Sequence, residues 1–114
     1  MNKKVLVLLT GLFILMSTFF GMGSVLANDK TKVIYAYMDD CRMCKVFESK
    51  VLSDPEVREA LSKFIFEKID ATTGRVNVAV TPTILVFNKN NKLIRKLVPS
   101  LNKEDFLEFL RKYE

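Results

Sequence analysis

The feature that most constrains this chain is the junction at Cys41-Arg42-Met43-Cys44, where a strand-forming run gives way to a helical pattern. On its N-terminal side, Lys32 to Met38 (Lys-Val-Ile-Tyr-Ala-Tyr-Met) is rich in β-branched and aromatic residues and reads as a strand buried on both faces. Asp39-Asp40 ends that strand and offers an oxygen acceptor to cap the helix that begins near Cys41. Along the helix, Cys44, Phe47 and Val51 recur at three- and four-residue spacing and are expected to face the core, with Lys45, Glu48 and Ser49 turned outward. Ser53-Asp54-Pro55-Glu56 reads as a fresh helix start, Asp54 as cap and Pro55 at the first helical position. Val57, Ala60 and Leu61 continue the apolar stripe, and Phe64 to Ile69 gives a second strand. Strand, helix of about twenty residues, strand is a parallel crossover, nearly always right-handed.

The second half is antiparallel in character. Asp70 to Val80 contains the breakers Thr72, Thr73 and Gly74 and too few periodic residues for a full helix, so it is expected to be a loop with at most one turn. Thr83 to Phe87 (Thr-Ile-Leu-Val-Phe) reads as a strand, Asn88 to Asn91 as a polar turn, and Lys92 to Val98 as the return strand of a hairpin. Asn102, followed by Glu104 and Asp105, is a capped and acidic first turn; Phe106, Leu107, Leu110 and Tyr113 then line one side of a closing helix. The expected class is α/β: β-α-β followed by β-β-α, a four-stranded mixed sheet flanked by helices.

A chain of 114 residues with 49% hydrophobic content has room for one domain and a targeting segment. Asn2-Lys3-Lys4 is a short basic start, Val5 to Ala27 carries no charge, and Val25-Leu26-Ala27 presents small or apolar residues where a signal peptidase reads. Residues 1–27 are therefore expected to be a signal peptide cleaved after Ala27, the competing reading being an N-terminal membrane anchor, and residues 28–114 the domain. Either way the lysines hold the N-terminus inside and the domain is exported. With Lys3 and Lys4 set aside, 16 basic residues stand against 13 acidic ones, too mild and too evenly mixed an excess for nucleic-acid binding. Membrane association is expected only if the first segment is uncleaved, and the domain is expected to act as a monomer.

Cys41 and Cys44 are the only cysteines, and there is no histidine. At a helix start the first cysteine faces backbone N–H groups that favour a thiolate, and the second, one turn on, can close a disulfide with it. Cys41 is the expected attacker and Cys44 the resolver in thiol–disulfide exchange, proceeding through a mixed disulfide. Arg42 favours the thiolate, whereas Asp39 and Asp40 oppose it. In an exported domain the pair can also be a plain structural disulfide, although so short a loop restricts the unfolded chain little. Two thiolates without histidine or a second pair leave a zinc site incomplete, and Lys45 stands where covalent haem needs a histidine, so neither metal nor cofactor is expected.

The order of elements, with Cys-x-x-Cys opening the first helix and Thr81-Pro82-Thr83 opening the third strand, resembles the thioredoxin fold from about Lys32 to the C-terminus. The run Cys41-Arg42-Met43-Cys44-Lys45-Val46-Phe47-Glu48, with Ser53-Asp54-Pro55-Glu56-Val57 and Ala60-Leu61, is most similar to the periplasmic C-terminal domain of transmembrane thiol:disulfide interchange reductases and to small secreted thioredoxin-like proteins. This resemblance implies a cis Pro82, with the Thr81 backbone beside the cysteine pair where a substrate chain can lie. It also implies a proton-transfer role for Glu48, which matches a glutamate of those domains, because the central strand lacks the buried acid of a classical thioredoxin. The residue before Cys41 is Asp40 instead of the usual aromatic. The implied activity is that of an exported thiol:disulfide oxidoreductase, a reductase rather than an oxidase, acting on protein thiols and disulfides and drawing electrons from a membrane donor. The alternative is a non-catalytic peptide-binding module of the same fold whose cysteines only staple the helix.

Overall fold

The computed structural model describes residues 30–114; the expected signal segment, residues 1–27, lies outside them. Strand β1 (Lys32–Tyr37) leads into helix α1 (Arg42–Phe47), which continues as a π-helical turn over Glu48–Leu52. Helix α2 (Pro55–Leu61) follows, then strand β2 (Ile65–Asp70) and a 3-10 turn (Ala71–Thr73). Strands β3 (Thr83–Phe87) and β4 (Leu93–Leu97) and helix α3 (Lys103–Arg111) complete the domain. The expected β-α-β and β-β-α halves are both present. The first strand stops at Tyr37 instead of Met38, the second runs from Ile65 to Asp70, and the fourth is trimmed to Leu93–Leu97.

The sheet order is β2-β1-β3-β4, with β1 parallel to β2 and antiparallel to β3. Central β1 is covered on both faces, Val33, Ile34, Tyr35 and Ala36 all being buried. Val33 and Tyr35 point with Ile84 and Val86 of β3 toward the helices, where Cys44, Phe47, Val51, Val57, Leu61, Phe106 and Leu110 close the main core. Ile34, Ala36, Ile69 and Leu85 form a smaller cluster on the opposite face, against half-buried Val76, Val78 and Phe87. The loop from Gly74 to Val80 thus covers this second face of the sheet through Val76 and Val78. Gly74 ends the 3-10 turn at φ 78°, a left-handed conformation that costs glycine least.

The helix restarts for the reasons the sequence suggests. The π turn ends at Ser53, whose N–H reaches back to Glu48 O at 2.9 Å. Asp54 then caps α2 by accepting from the Glu56 N–H at 2.9 Å, with Pro55 at its first position. Asn102 caps α3 by accepting from the N–H groups of Glu104 and Asp105. The α1 cap differs from expectation: neither Asp39 nor Asp40 caps it. Cys41 is itself the cap residue, and its Sγ accepts from the Cys44 N–H at 3.0 Å. The chain enters the helix one residue later than an Asp40 cap requires, which gives that orphan donor to sulfur.

Candidate active site

Topology brings the cysteine pair and the Thr81-Pro82 segment together. Because β1 and β3 are antiparallel neighbours with Ala36 registered against Thr83, the C-terminal end of β1 and the N-terminal end of β3 share one edge of the domain. The turn after β1 delivers Cys41 to that edge, and the approach to β3 delivers Thr81. The Thr81–Pro82 peptide bond is cis. Pro82 is buried and Thr81 half-buried, and buried Thr83 is satisfied locally by donating its hydroxyl to Val80 O at 2.6 Å.

Cys41 and Cys44 are joined as a disulfide with Cα atoms 5.2 Å apart. Their environments differ. Cys41 is half-exposed at the mouth of α1, whereas Cys44 has no exposure at all. Cys41 Sγ has two polar neighbours of opposite kind: the Cys44 N–H at 3.0 Å and Thr81 O at 3.4 Å. In the disulfide the sulfur carries no hydrogen, so only the first is a hydrogen bond. Once reduced, a thiol can donate to Thr81 O, while a thiolate is held by the N–H donor and repelled by the carbonyl. Met43, inside the Cys-x-x-Cys turn, and Val80, next to Thr81 in sequence, are both exposed. Arg42 is exposed at the first position of α1 and makes no ion pair among the described residues.

Glu48 does not turn outward. It lies four residues beyond Cys44, on the rim of the same helical stripe, and its carboxylate folds back over the sheet. There Oε2 accepts from the Tyr35 hydroxyl at 3.3 Å, and Oε1 pairs with the Lys68 ammonium. The Tyr35 hydroxyl lies equally near Cys44 O, also 3.3 Å away. Burial, reinforced by the nearby Glu48 carboxylate, pushes the Tyr35 phenol well above its ordinary range, so it remains a hydrogen-bond donor at any physiological pH. Lys68 also sits over the Tyr37 ring, 4.3 Å from its centroid. The sequence reading missed Tyr35 and Lys68. Their signal is the parallel register that sets them side by side on one sheet face, and register cannot be read from a single strand.

The sequence matches the family described as thioredoxin-like domain over residues 21–114. The thiol:disulfide interchange protein DsbD of Tatumella citrea is 31% identical over 97 residues, covering 75% of this chain and 17% of that protein. DsbD of Pectobacterium atrosepticum is 31% identical over 104 residues, covering 81% of this chain and 18% of that protein. The chain thus spans less than a fifth of the length of these curated relatives. Among solved structures, the oxidised C-terminal domain of Neisseria meningitidis DsbD is similar with a TM-score of 0.62 at 22% identity, covering 92% of this chain and 95% of that one. A thioredoxin from Thermus thermophilus gives 0.61 at 24% identity, covering 73% and 72%. At these identities the structural likenesses speak for the fold.

Proposed function

The chain belongs to the thioredoxin-like family, and on that premise we propose that it is an exported thiol:disulfide oxidoreductase that reduces disulfides of protein substrates through Cys41 and Cys44. The observation that carries this reading is the asymmetry of the pair: a partly exposed Cys41 at the helix mouth, its sulfur 3.4 Å from Thr81 O, with its partner fully buried one turn behind. Export is supported by the basic, then uncharged, N-terminal stretch. The reducing direction and a membrane electron donor follow from the resemblance to the interchange reductases.

Reduced Cys41 attacks as a thiolate on one sulfur of the substrate disulfide. The substrate S–S bond breaks, its electron pair goes to the other substrate sulfur, and a mixed disulfide to Cys41 forms. Cys44 then gives up its proton, and its thiolate attacks Cys41 Sγ. The Cys41–Cys44 bond closes, the mixed disulfide breaks, and the second substrate sulfur leaves with the electron pair. In sum, two electrons pass to the substrate, whose two sulfurs are protonated by the proton released from Cys44 and by one from water, and the donor must return two electrons to the pair. Glu48 takes the proton from Cys44 in the closing step; its place one helical turn beyond Cys44, with Oε2 near the Tyr35 hydroxyl that also approaches the Cys44 backbone carbonyl, supports this role. The backbone of Thr81, beside cis Pro82, holds the substrate segment alongside Cys41. Arg42, next to the attacking sulfur, adds a positive charge that favours the thiolate.

The test is turnover of insulin disulfides by the full chain with dithiothreitol as reductant. The wild type accelerates reduction, Cys41→Ser abolishes it, and Cys44→Ser accumulates a mixed disulfide with the substrate. A wild type that gives no acceleration, and whose pair stays closed in glutathione buffers, replaces this reading with the peptide-binding module.

A further inference from the structure

The mechanism leaves two side chains beneath the cysteine pair without a task, and they are the ones that hold Glu48. Tyr35 is fully buried on the central strand, and its hydroxyl stands between Cys44 O and Glu48 Oε2, 3.3 Å from each. Lys68 is its direct neighbour across the parallel β1–β2 ladder. Its ammonium engages the other carboxylate oxygen and is steadied over the Tyr37 ring. Oε1 of Glu48 therefore has the Lys68 ammonium as its donor, while Oε2 shares the single Tyr35 hydroxyl hydrogen with Cys44 O. An exposed ion pair alone fixes a side chain weakly, but a carboxylate gripped at both oxygens from a rigid strand pair keeps a single orientation.

We infer that Tyr35 and Lys68 are positioning residues that aim the Glu48 carboxylate at Cys44 for the closing step of exchange, an inference that rests on the proton-transfer reading of Glu48. The other charges at this end are Asp39 and Asp40 of the preceding turn and Arg42 and Lys45 of α1. Helices α2 and α3 pack against the π turn; of their charges, Lys103 pairs with Asp54 and Glu56, Asp105 accepts from the Ser100 hydroxyl, and Arg58, Glu59, Glu104, Glu108 and Arg111 make no ion pair with Glu48. Asp70, at the end of β2, is taken by Thr72. Lys68 is thus the only ion-pair partner of Glu48 among the described residues.

The experiment separates the two halves of exchange in the full chain. Attack by Cys41 is read as alkylation of the reduced protein by iodoacetamide. Closure by Cys44 is read as release of thionitrobenzoate from a preformed mixed disulfide on Cys41, across pH. Lys68→Met and Tyr35→Phe are expected to slow closure about tenfold near neutral pH, part of the hundredfold or more that a well-placed proton acceptor contributes. Alkylation should change less than twofold, and the closure deficit should shrink as pH rises, because hydroxide then removes the Cys44 proton without help from Glu48. Lys68→Arg restores the wild-type rate. In the Glu48→Gln background, Lys68→Met adds nothing further, because the two act as one unit. A Glu48→Gln variant that closes at the wild-type rate sinks the proton-transfer reading itself. Slow closure in Glu48→Gln with fast closure in Lys68→Met and Tyr35→Phe overturns the positioning inference alone, as does a multiplicative double variant. Lys68 is half-exposed, so its variants are expected to fold even if the buried Tyr35 variant does not.

Discussion

Replacing Phe47 with alanine tests whether the helix that carries the cysteines is locked to the sheet by aromatic packing. Phe47 has no exposed surface. Its ring meets Tyr35 of β1 edge-on with centroids 5.5 Å apart, and Phe106 of α3 edge-on at 5.3 Å. It is therefore the link joining the active-site helix, the central strand and the closing helix. Removing a fully buried phenylalanine costs about 3–5 kcal/mol, the lost transfer energy plus the cavity left behind. With the sheet on one side and the closing helix on the other, the middle of that range, about 4 kcal/mol, applies. A domain of this size has a total stability of roughly 4–13 kcal/mol. With a urea slope of about 1.3 kcal/mol/M, Phe47→Ala lowers the unfolding midpoint by about 3 M, or leaves the chain unfolded without urea. Phe47→Leu, which keeps most of the volume, costs about 1 kcal/mol and preserves exchange activity. The assay is urea unfolding of the oxidised protein followed by far-ultraviolet circular dichroism. A midpoint shift below about 1 M for Phe47→Ala, at unchanged slope, would show that the aromatic link is not what seats α1.

Two further outcomes concern pH. Because burial raises the Tyr35 phenol, its phenolate is absent from the 295 nm absorbance of the folded protein at about pH 11 and emerges only on unfolding. A folded-state value above the unfolded one gives stability that is complete below the unfolded value and is lost as pH climbs past it; difference spectra of wild type and Tyr35→Phe that show ionisation below pH 11 in the folded state refute the burial argument. On the acid side, the hydrogen bond from Lys103, helped by the backbone N–H groups of the α2 cap, holds the Asp54 carboxyl below its ordinary value. The stability this confers is present above the unfolded value and fades as pH falls from about 5 toward 2, so Lys103→Met should flatten the decline of the urea midpoint over that range. A decline identical to that of the wild type removes the Asp54–Lys103 clamp from the account.

How much of this was legible depended on how local each cause is. The strands at Lys32–Tyr37 and Thr83–Phe87 and the restart at Asp54-Pro55 follow from composition, capping and proline geometry within a few residues, and they stand where expected. The pairing of Cys41 with Thr81 was reached through resemblance, since only the antiparallel register of β1 and β3 brings residues 40 positions apart to one edge. Glu48 was placed on the wrong face because the outward reading weighed its charge over its spacing. Four residues after buried Cys44, a side chain sits at the border of the stripe, and which way it leans is decided by a partner. That partner, Tyr35, looked like core from its apolar neighbours, and its hydroxyl mattered only once β1 lay under α1. The sulfur cap escaped notice because cysteine is not among the residues expected to cap a helix.

On the proposed proton-transfer role of Glu48, the same contacts account for a central strand without an acid. A carboxylate at position 35 would be sealed from water, since the residue there has no exposure, and burying an ionised group costs several kcal/mol unless it is paired. A phenol at that position stays neutral, and its hydroxyl is satisfied by Cys44 O and Glu48. The negative charge has moved to the half-exposed rim of the helix, where water and Lys68 both reach it. Tyr35 then ties the sheet to the helix backbone at Cys44 and to Glu48 without carrying charge. On this argument the Tyr35→Asp variant does not recreate a thioredoxin-type acid; it sets a second carboxylate against Glu48, and the two anions repel each other beneath Cys44.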